Sequence, residues 1–338
     1  MSSTEESLPK LAFLGPLGSH SYQCAKNGFG TSVEYVERLS ITEVFKAVSP
    51  EIPFGLLPQE NSVFGTVTET YDLLRLPEVG TEKFVRGELV LPVRHSLLVR
   101  RGVQLADVER VLSHEQASAP ANLPSALGQC SRFLSEKLPG AARIKTPSTS
   151  AAAKSLLEDE DEDRATRSAA ICSVACATVF DGLEVLQEGI QNVDTNRTRF
   201  YVLATSPESK LPSGFQAPIP KHALVRIGLK PSPSPVNGDA SASPSPAPRT
   251  RDRLVHLVMS TLLTTFGLPT SRVDRRPSLT DAPFEDVYLV ELEASSSLCE
   301  SAAGEEFAAA SAALWARVKA GVEKIEAVGG EAAVLGIW

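Results

Sequence analysis

The sequence predicts an α/β fold with a mostly parallel sheet. Short apolar segments of strand length alternate along the chain with longer segments of helical apolar spacing. The strand candidates are Leu11 to Leu14, Gly55 to Leu57, Leu89 to Val93, Arg110 to Leu112 and Ala169 to Ile171. This alternation is typical of βαβ units, in which a helix connects two parallel strands. We therefore expect a sheet whose faces are covered by helices.

Length and composition indicate an ordinary globular protein of about two domains. The chain has 338 residues, 42% of them hydrophobic and 22% charged, and domains average roughly 150 residues. A net charge of −8 argues against nucleic-acid binding and, more mildly, against binding to anionic membranes. The first ten residues are polar, and no apolar run approaches the ~20 residues that span a bilayer. We expect a cytoplasmic protein.

Cysteine usage and short motifs argue against a metal or cofactor site. The five cysteines are scattered, odd in number and without metal-ligand spacing, which favours reduced thiols. The sequence also lacks a P-loop, an HExxH motif and a GxGxxG that follows a strand. We therefore expect no metal and no cofactor.

The first candidate site segment is Gly15 to Ser21, which directly follows the first predicted strand. Gly and Pro end a strand sharply, and Ser19 then begins a helix whose free N–H groups attract an anion. Ser19 and Ser21 are candidate anion ligands, although either serine is equally suited to capping the helix.

The second candidate segment is Pro58 to Val67, where an apolar strand runs into Glu60, Asn61 and Ser62 before a helix. Doubly wound α/β domains place ligand-binding groups at such strand ends. Glu60 and Asn61 also suit a purely structural turn and cap, and this segment alone does not separate the two interpretations.

The third candidate segment is Asn196 to Phe200, which leads into the apolar stretch Tyr201 to Ala204. Thr198 supplies a hydroxyl next to Arg199, whose rigid fork of donors matches a carboxylate. The pair suits a small organic anion that must lose an oxygen. Most Thr-Arg pairs at strand starts are nevertheless solvated surface.

Together these segments resemble the prephenate dehydratase family. Its patterns G-P-x-G-[ST]-x-[ST], P-x-E-N-S-x-x-G-x-V and N-x-T-R-F are met in order by the three segments. Supporting matches are Glu88, His95, Ser113 to Gln116 (resembling S-H-P-Q) and Ala126 to Cys130 (resembling A-L-x-Q-C). The resemblance covers roughly residues 10 to 205.

The resemblance implies a two-lobed catalytic domain of the type II periplasmic-binding-protein kind, with a cleft between the lobes. The chain would cross over near residue 100 and return near residue 180. A C-terminal α+β ACT regulatory domain would follow. The implied divisions are a flexible N-terminus (1–9), the catalytic domain (10–205), a linker (206–220) and an ACT-like domain (221–338).

Two insertions depart from the family pattern. Residues 231–253 contain Pro/Ser repeats too poor in apolar residues to bury a core, so we expect them to be disordered. Residues 117–125 are expected to form a surface loop.

The implied activity is the conversion of prephenate to phenylpyruvate. Thr198 would hydrogen-bond the departing hydroxyl, Arg199 would fix geometry or carboxylate charge, and Phe200 would pack the substrate ring or the sheet. The remaining substrate-binding candidates are Ser19, Ser21, Glu60, Asn61, Ser62, Thr149 and Asn196.

Two alternatives remain. The motifs do not separate prephenate dehydratase from arogenate dehydratase, whose substrate carries an amino group in place of the ketone. A non-catalytic amino-acid sensor shares the implied fold, although it would have no need of the Thr198 hydroxyl. Implied partners are L-phenylalanine as an effector, bound near Leu254, Val255, Asp274 and Arg276, and further copies of the chain in a homodimer or homotetramer.

Overall fold

The computed structural model describes residues 7–114, 126–212, 215, 220–229, 249–280, 285–294 and 305–338. The chain divides into two compact units. Met1–Thr70, Glu88–Val202 and Pro212–Phe215 form the N-terminal unit, and Tyr71–Gly87, Leu203–Leu211 and Gln216–Trp338 form the C-terminal unit. The N-terminal unit contains two sheets, which we call the first sheet and the second sheet.

The first sheet is mixed: β1 forms parallel pairs, and β3 and β4 are antiparallel. Its strand order is β5-β11-β3-β1-β2, with β4 beside β3. The strands are β1 (Lys10–Leu14), β2 (Glu34–Arg38), β3 (Phe54–Asn61), β4 (Gly65–Thr66), β5 (Phe84–Pro92) and β11 (Arg197–Ala204). β1 pairs with β2 and β3 in parallel. The helices among them are α1 (His20–Phe29), α2 (Ile41–Ala47) and α3 (Thr68–Leu73).

The second sheet has the strand order β10-β6-β9-β7-β8. Its strands are β6 (Ser96–Arg100), β7 (Arg110–His114), β8 (Ala142–Thr146), β9 (Ser168–Cys172) and β10 (Leu183–Glu188). β7 is parallel to β8 and β9, whereas β6 is antiparallel to β9 and β10. Its helices are α4 (Ala126–Gln129), α5 (Ser131–Lys137), α6 (Thr149–Glu158), α7 (Glu162–Thr166) and α8 (Ala175–Val179).

Alternating side chains bury both faces of the second sheet, because successive residues of a strand point to opposite faces. In β9, Ala169 and Ile171 pack on one face with residues of α4 and α5. Ala170 and Cys172 pack on the other face with residues of α6. This explains why the strand reads as a continuous apolar run.

The C-terminal unit is built on an antiparallel sheet. Its elements are β12 (His222–Leu229), α9 (Arg249–Phe266), β13 (Thr270–Pro277), β14 (Asp286–Glu293), α10 (Glu305–Ala327) and β15 (Gly330–Ile337). The strand order is β13-β14-β12-β15, and each of these pairings is antiparallel. Alternate residues of β12 pack against apolar residues of α9 and α10 to form one core.

The structure corrects two boundaries expected from the sequence. Helix α9 begins at Arg249, so residues 249–253 belong to the helix and not to the insertion. After the last proline, Pro248, the residue types have ordinary helix propensity. The second concerns the acidic run Glu158 to Asp163, whose composition favours a solvated loop. It contains the start of α7, because Asp161 caps that helix by accepting from the N–H of Arg164.

Several expected features lie outside the described residues. These are residues 1–6 of the expected flexible N-terminus, the insertion 117–125, residues 231–248 of the second insertion and part of the expected 206–220 linker. In the part of the chain that the structure describes, no helix combines the length and apolarity needed to span a membrane.

Candidate active site

The side-chain amide of Asn61 is the centre of a polar cluster at the end of β3. Its Nδ2 donates to Oγ1 of Thr198 at 2.9 Å and to Oδ1 of Asn196 at 2.8 Å. Its Oδ1 accepts from the backbone N–H of Val63 and of Phe64, which is an Asx-type turn. Both N–H donors and the oxygen of the Asn61 amide therefore have partners within the protein, and these bonds fix the orientation of the side chain.

Ser62 holds the start of β11 beside this amide. The backbone N–H of Ser62 donates to the carbonyl of Arg197 at 2.8 Å. The N–H of Arg197 in turn donates to Oγ of Ser62 at 2.9 Å, and that hydroxyl donates to the carbonyl of Thr195. Ser62 therefore positions the strand that carries Thr198, and its hydroxyl is used within the protein.

Gln129, at the end of α4, extends the cluster to the second sheet. Its Oε1 accepts from Nδ2 of Asn196 at 3.1 Å and lies 3.3 Å from Nε2 of His95. Its backbone carbonyl accepts from the N–H of Asn192, whose Nδ2 donates to the carbonyl of Gly128. A row of hydrogen bonds therefore runs from Thr198 through two asparagines and Gln129 to His95.

His95 faces a second histidine, His20, the first residue of α1. The ring centroids lie 5.3 Å apart in an edge-to-face arrangement. Nδ1 of His95 is buried and has no hydrogen-bond partner among the described residues. Burial, with a contribution from His95, lowers the pKa of His20 to about 3, while a side-chain hydrogen bond with Gln23 opposes the shift. Burial also lowers the pKa of His95. Both imidazoles are neutral near pH 7.

Arg199 and Phe200 follow Thr198 in β11, but Arg199 forms an ion pair whereas Phe200 is buried in the core. Nε of Arg199 lies 3.2 Å from Oε1 of Glu88, an ion pair with the carboxylate largely shielded from solvent. Phe200 is 2% exposed and contributes to the core of the sheet. Glu60, also in β3, is half-buried opposite Thr66 of β4.

Three of the predicted residues stand apart from this cluster. Ser19 caps α1, since its Oγ accepts from the N–H of Tyr22 and donates to the carbonyl of Leu14. Ser21 is buried, and Thr149 is the first residue of α6. Among the described residues, no hydrogen bond links Ser19, Ser21 or Thr149 to Asn61 or its partners.

The loop before α1 contacts the elements of the second sheet directly. Ser150 of α6 donates its hydroxyl to the carbonyl of Leu17, and the Cys176 thiol donates to the carbonyl of Gly18 at 3.2 Å. Gly18 has a φ of +81°, and a Cβ there would lie 2.8 Å from Sγ of Cys176. Only glycine fits this position without displacement.

Two of the predicted effector residues of the C-terminal unit form ion pairs within the protein. Asp274 forms an ion pair with Arg272, and Arg276 donates to Oδ1 of Asp72 at 2.6 and 2.8 Å. Val255 packs against the core of the unit. The backbone of Leu254 lies in α9, but its side chain lies outside the described residues.

The Thr198 hydroxyl can donate its proton to a ligand. Because Oγ1 of Thr198 accepts from Asn61 through a lone pair, its own O–H is available to a ligand oxygen. Within the described ranges, no group of three or more His, Cys, Asp or Glu side chains is arranged to hold a metal.

Sequence reasoning missed His20, His95 and Gln129 as members of the site. Gln129 and His95 were visible as motif matches, but only the tertiary structure joins them to Asn196. His20 carried no signal of its own, since its position follows Ser19 in what reads as a simple helix start.

Comparison with known proteins places these observations in a family. Residues 11–208 match the family described as Prephenate dehydratase. A bifunctional chorismate mutase/prephenate dehydratase of Aquifex aeolicus is 33% identical over 196 residues, covering 58% of this chain and 48% of the relative. Arogenate dehydratase 2 of Petunia hybrida is 33% identical over 205 residues, covering 60% of this chain and 47% of the relative. The chain thus spans about half the length of the curated relatives it matches.

A solved structure extends the likeness to the fold of nearly the whole chain. The prephenate dehydratase of Arthrobacter aurescens, solved in complex with L-Phe, superposes with a TM-score of 0.65 at 23% identity, covering 97% of this chain and 89% of that one. The fold is accordingly the mixed α/β class with two sheets that prephenate dehydratase structures display. The chain belongs to the prephenate dehydratase family.

Proposed function

We propose that this chain is a prephenate dehydratase, which converts prephenate to phenylpyruvate in phenylalanine biosynthesis. The observation that carries the proposal is the 2.9 Å hydrogen bond from Asn61 to Oγ1 of Thr198. Because Asn61 is the donor in this bond, the Thr198 hydroxyl keeps its own proton for donation to a ligand. The 33% identity to dehydratases supports the same function.

In the reaction, the bond between the ring and its carboxylate breaks and carbon dioxide leaves. That electron pair enters the ring, the ring C–O bond breaks, and the oxygen departs as hydroxide, which takes up a proton from solvent to become water. Aromatisation supplies driving force, so the proposal requires no cofactor. A threonine is too weak an acid to transfer its proton fully at neutral pH. Thr198 instead contributes a hydrogen bond that strengthens as negative charge develops on the departing oxygen.

The substrate's two carboxylates are held by the remaining polar groups of the site. Arg199 carries the cation, with Glu88 fixing the orientation of its guanidinium. Asn196, Ser62 and Glu60 position the strands that present Thr198. Ser19, Ser21 and Thr149 contribute through the helix starts on which they lie, where backbone N–H groups attract anions. Phe200 supports β11 from the core.

The proposal includes the finer fold assignment. The two sheets of the N-terminal unit serve as the lobes of a type II periplasmic-binding-protein-like catalytic domain, assigned to residues 10–205. The βαββαβ order of the C-terminal unit supports an ACT-like regulatory domain over residues 221–338, with residues 206–220 as the linker. L-phenylalanine, which is bound in the Arthrobacter aurescens structure, is the proposed effector of this chain. The proposed assembly is a cytoplasmic homodimer or homotetramer.

Steady-state turnover of prephenate by the full chain tests the function. Phenylpyruvate should form at a rate that depends on Thr198. A pure sensor would bind substrate or phenylalanine without forming product, and that result would refute the enzyme assignment.

A further inference from the structure

The backbone of Leu17, in the loop before α1, is held on both sides by side chains that the proposed chemistry does not use. Its carbonyl accepts from the hydroxyl of Ser150, on helix α6 of the second sheet. Its N–H donates to Oε2 of Glu37 at 2.8 Å, and Glu37 lies in β2 of the first sheet. Because the two hydrogen bonds come from elements of two different sheets, they fix the loop backbone at Leu17.

The position of Glu37 follows from the pairing of β1 with β2. The two strands are parallel, and Glu37 lies beside Phe13, two residues before Gly15. The N–H of Gly15 continues the pairing beyond β1, since it donates to the carbonyl of Arg38 at 2.8 Å. The Glu37 side chain contacts Gly15 so closely that an added Cβ would overlap its Cγ. Only a glycine permits this approach, so the loop and the Glu37 side chain are fitted to each other.

The loop determines how α1 begins. Oγ of Ser19 accepts from the N–H of Tyr22 and donates to the carbonyl of Leu14. The N–H of Ser19 donates to the carbonyl of Pro16 at 3.0 Å. The first N–H groups of a helix have no partners within the helix and attract an anion. A displacement of Leu17 would therefore change the direction in which α1 presents these groups.

The charge of Glu37 indicates that it acts through the loop. A carboxylate is unsuited to contact an anionic substrate, because like charges repel. It is well suited to hold a backbone N–H, since an ionised acceptor forms a stronger hydrogen bond than a neutral one. The N–H of Leu17 is the group that Glu37 holds, and any effect on the substrate passes through that bond.

We propose that Glu37 is a positioning residue for substrate binding, which holds Leu17 so that the start of α1 faces a carboxylate of the substrate. This inference rests on the proposed function and adds a residue to it. The carboxylate is bound in the ground state and in the transition state alike, so Glu37 acts mainly on KM. Thr198, by contrast, acts mainly on kcat.

The test measures kcat and KM for prephenate in the wild-type chain and in Glu37→Met, Glu37→Gln and Glu34→Met. Methionine keeps the length of the side chain and removes both oxygens. Glutamine removes the charge but keeps an oxygen that can accept from Leu17. Glu34→Met is the matched control, because Glu34 lies in the same strand but is exposed and pairs with Lys10 at 3.7 Å.

Glu37→Met should raise KM about fivefold to fiftyfold and change kcat less than about threefold, because a hydrogen bond to a charged acceptor is lost. Glu37→Gln and Glu34→Met should keep KM within about threefold of the wild-type value. A merely structural contribution would lower the amount of folded enzyme and leave KM unchanged. An unchanged KM in Glu37→Met, or an equal rise in Glu37→Gln, would overturn the inference while the dehydratase assignment stands.

Calorimetric titration of the same four proteins with prephenate needs no turnover. Weaker binding in Glu37→Met alone, in a chain that forms no product, would refute the enzyme assignment and keep the positioning role. Equal binding in all four proteins, or none, would refute the role itself.

Hydrogen exchange of the Leu17 amide in the wild-type chain, followed by NMR, needs no folded variant. The amide should exchange slowly, because the bond to Glu37 protects it. Exchange at the rate of an amide in an unfolded chain would overturn the inference.

Discussion

Asn61 donates one amide hydrogen bond to Thr198 and the other to Asn196, at 2.9 and 2.8 Å. A single side chain thereby links the strand β3 to the hydroxyl proposed to assist the leaving group. The bond uses a lone pair of the Thr198 oxygen, so the hydroxyl proton does not point at the Asn61 amide.

Removing the Thr198 hydroxyl should lower kcat with little change in KM. We expect Thr198→Ala to reduce kcat by about two to four orders of magnitude, because a bond made mainly in the transition state is lost. Thr198→Ser keeps the hydroxyl and should retain substantial activity. An Ala variant with more than roughly a tenth of wild-type kcat would limit the contribution of this hydroxyl to about 1.4 kcal/mol and contradict its role.

Replacing Asn61 by Asp should redirect the Thr198 proton. The carboxylate of Asn61→Asp is nearly isosteric but can only accept, so the Thr198 hydroxyl would donate to it and not to the substrate. We expect a fall in kcat of about two orders of magnitude or more in steady-state assays. Asn27→Asp, an exposed substitution in α1 with the same charge change, serves as the matched control. Similar losses in both variants would show that net charge and not proton direction is responsible.

Gly18→Ala should disturb the contact between the loop before α1 and the second sheet. An added Cβ would lie 2.8 Å from Sγ of Cys176, and a φ of +81° disfavours any side chain. Gly30→Ala is the matched control, because Gly30 also has a positive φ of +56° but no atom within 4 Å of an added Cβ. Gly30→Ala should lose about 1 kcal/mol in urea unfolding from its positive φ alone. Gly18→Ala should lose more because of the clash with Cys176, and only Gly18→Ala should also lose dehydratase activity. Full activity in Gly18→Ala would show that this contact is dispensable.

Acid should destabilise the protein partly through His20. In the folded chain burial lowers the pKa of His20 to about 3, whereas the ordinary value is 6.5. The unfolded state therefore binds more protons below pH 6.5. The stabilising contribution is complete above that pH and is lost as the pH falls toward 3.

Urea unfolding near pH 7.5 and near pH 5 measures this effect. The wild-type chain should lose more stability between the two conditions than His20→Phe, whose ring does not titrate. The comparison uses only the difference between the two pH values, so a uniform change in stability from the substitution cancels. Equal losses in the two proteins would show that His20 is not buried in its neutral form.

Inhibition by phenylalanine should be weak. Asp274 and Arg276, the residues expected to contact the effector, are engaged with Arg272 and Asp72, and binding must compete with these pairs. Inhibition curves and calorimetric titration on the full chain measure the effect, and Asp274→Ala should abolish the remaining inhibition. Tight binding with strong inhibition, unaffected by Asp274→Ala, would place the effector elsewhere.

Local patterns in the sequence predicted the secondary structure well. His222 to Leu229 alternate in the manner of a strand and form β12. The Ala-rich sequence from Glu305 to Val328 favours a helix, and α10 ends one residue earlier, at Ala327. Period-2 and period-3.6 patterns report burial of one face, so they locate elements reliably. The start of α9 was missed because five polar residues at 249–253 carry no apolar periodicity.

The site was only partly visible in the sequence for a physical reason. Asn61, Ser62, Asn196 and Thr198 stood at strand ends, and the structure joins them by hydrogen bonds. The histidine pair brings together residues 75 positions apart, from His20 to His95. No local pattern encodes such a contact, because it depends on how two separately formed sheets meet.

A residue that follows α4 in the chain holds Gln129 by hydrogen bonds to the end of that helix. The backbone N–H of Asn192 donates to the carbonyl of Gln129, and the Asn192 side chain donates to Gly128 and Ser131. Chain that follows Gln129 therefore helps to set its position. In evolutionary terms, a substitution at Asn192 would be felt beyond its own loop, because Gln129 holds Asn196 and Asn196 shares the amide of Asn61 with Thr198.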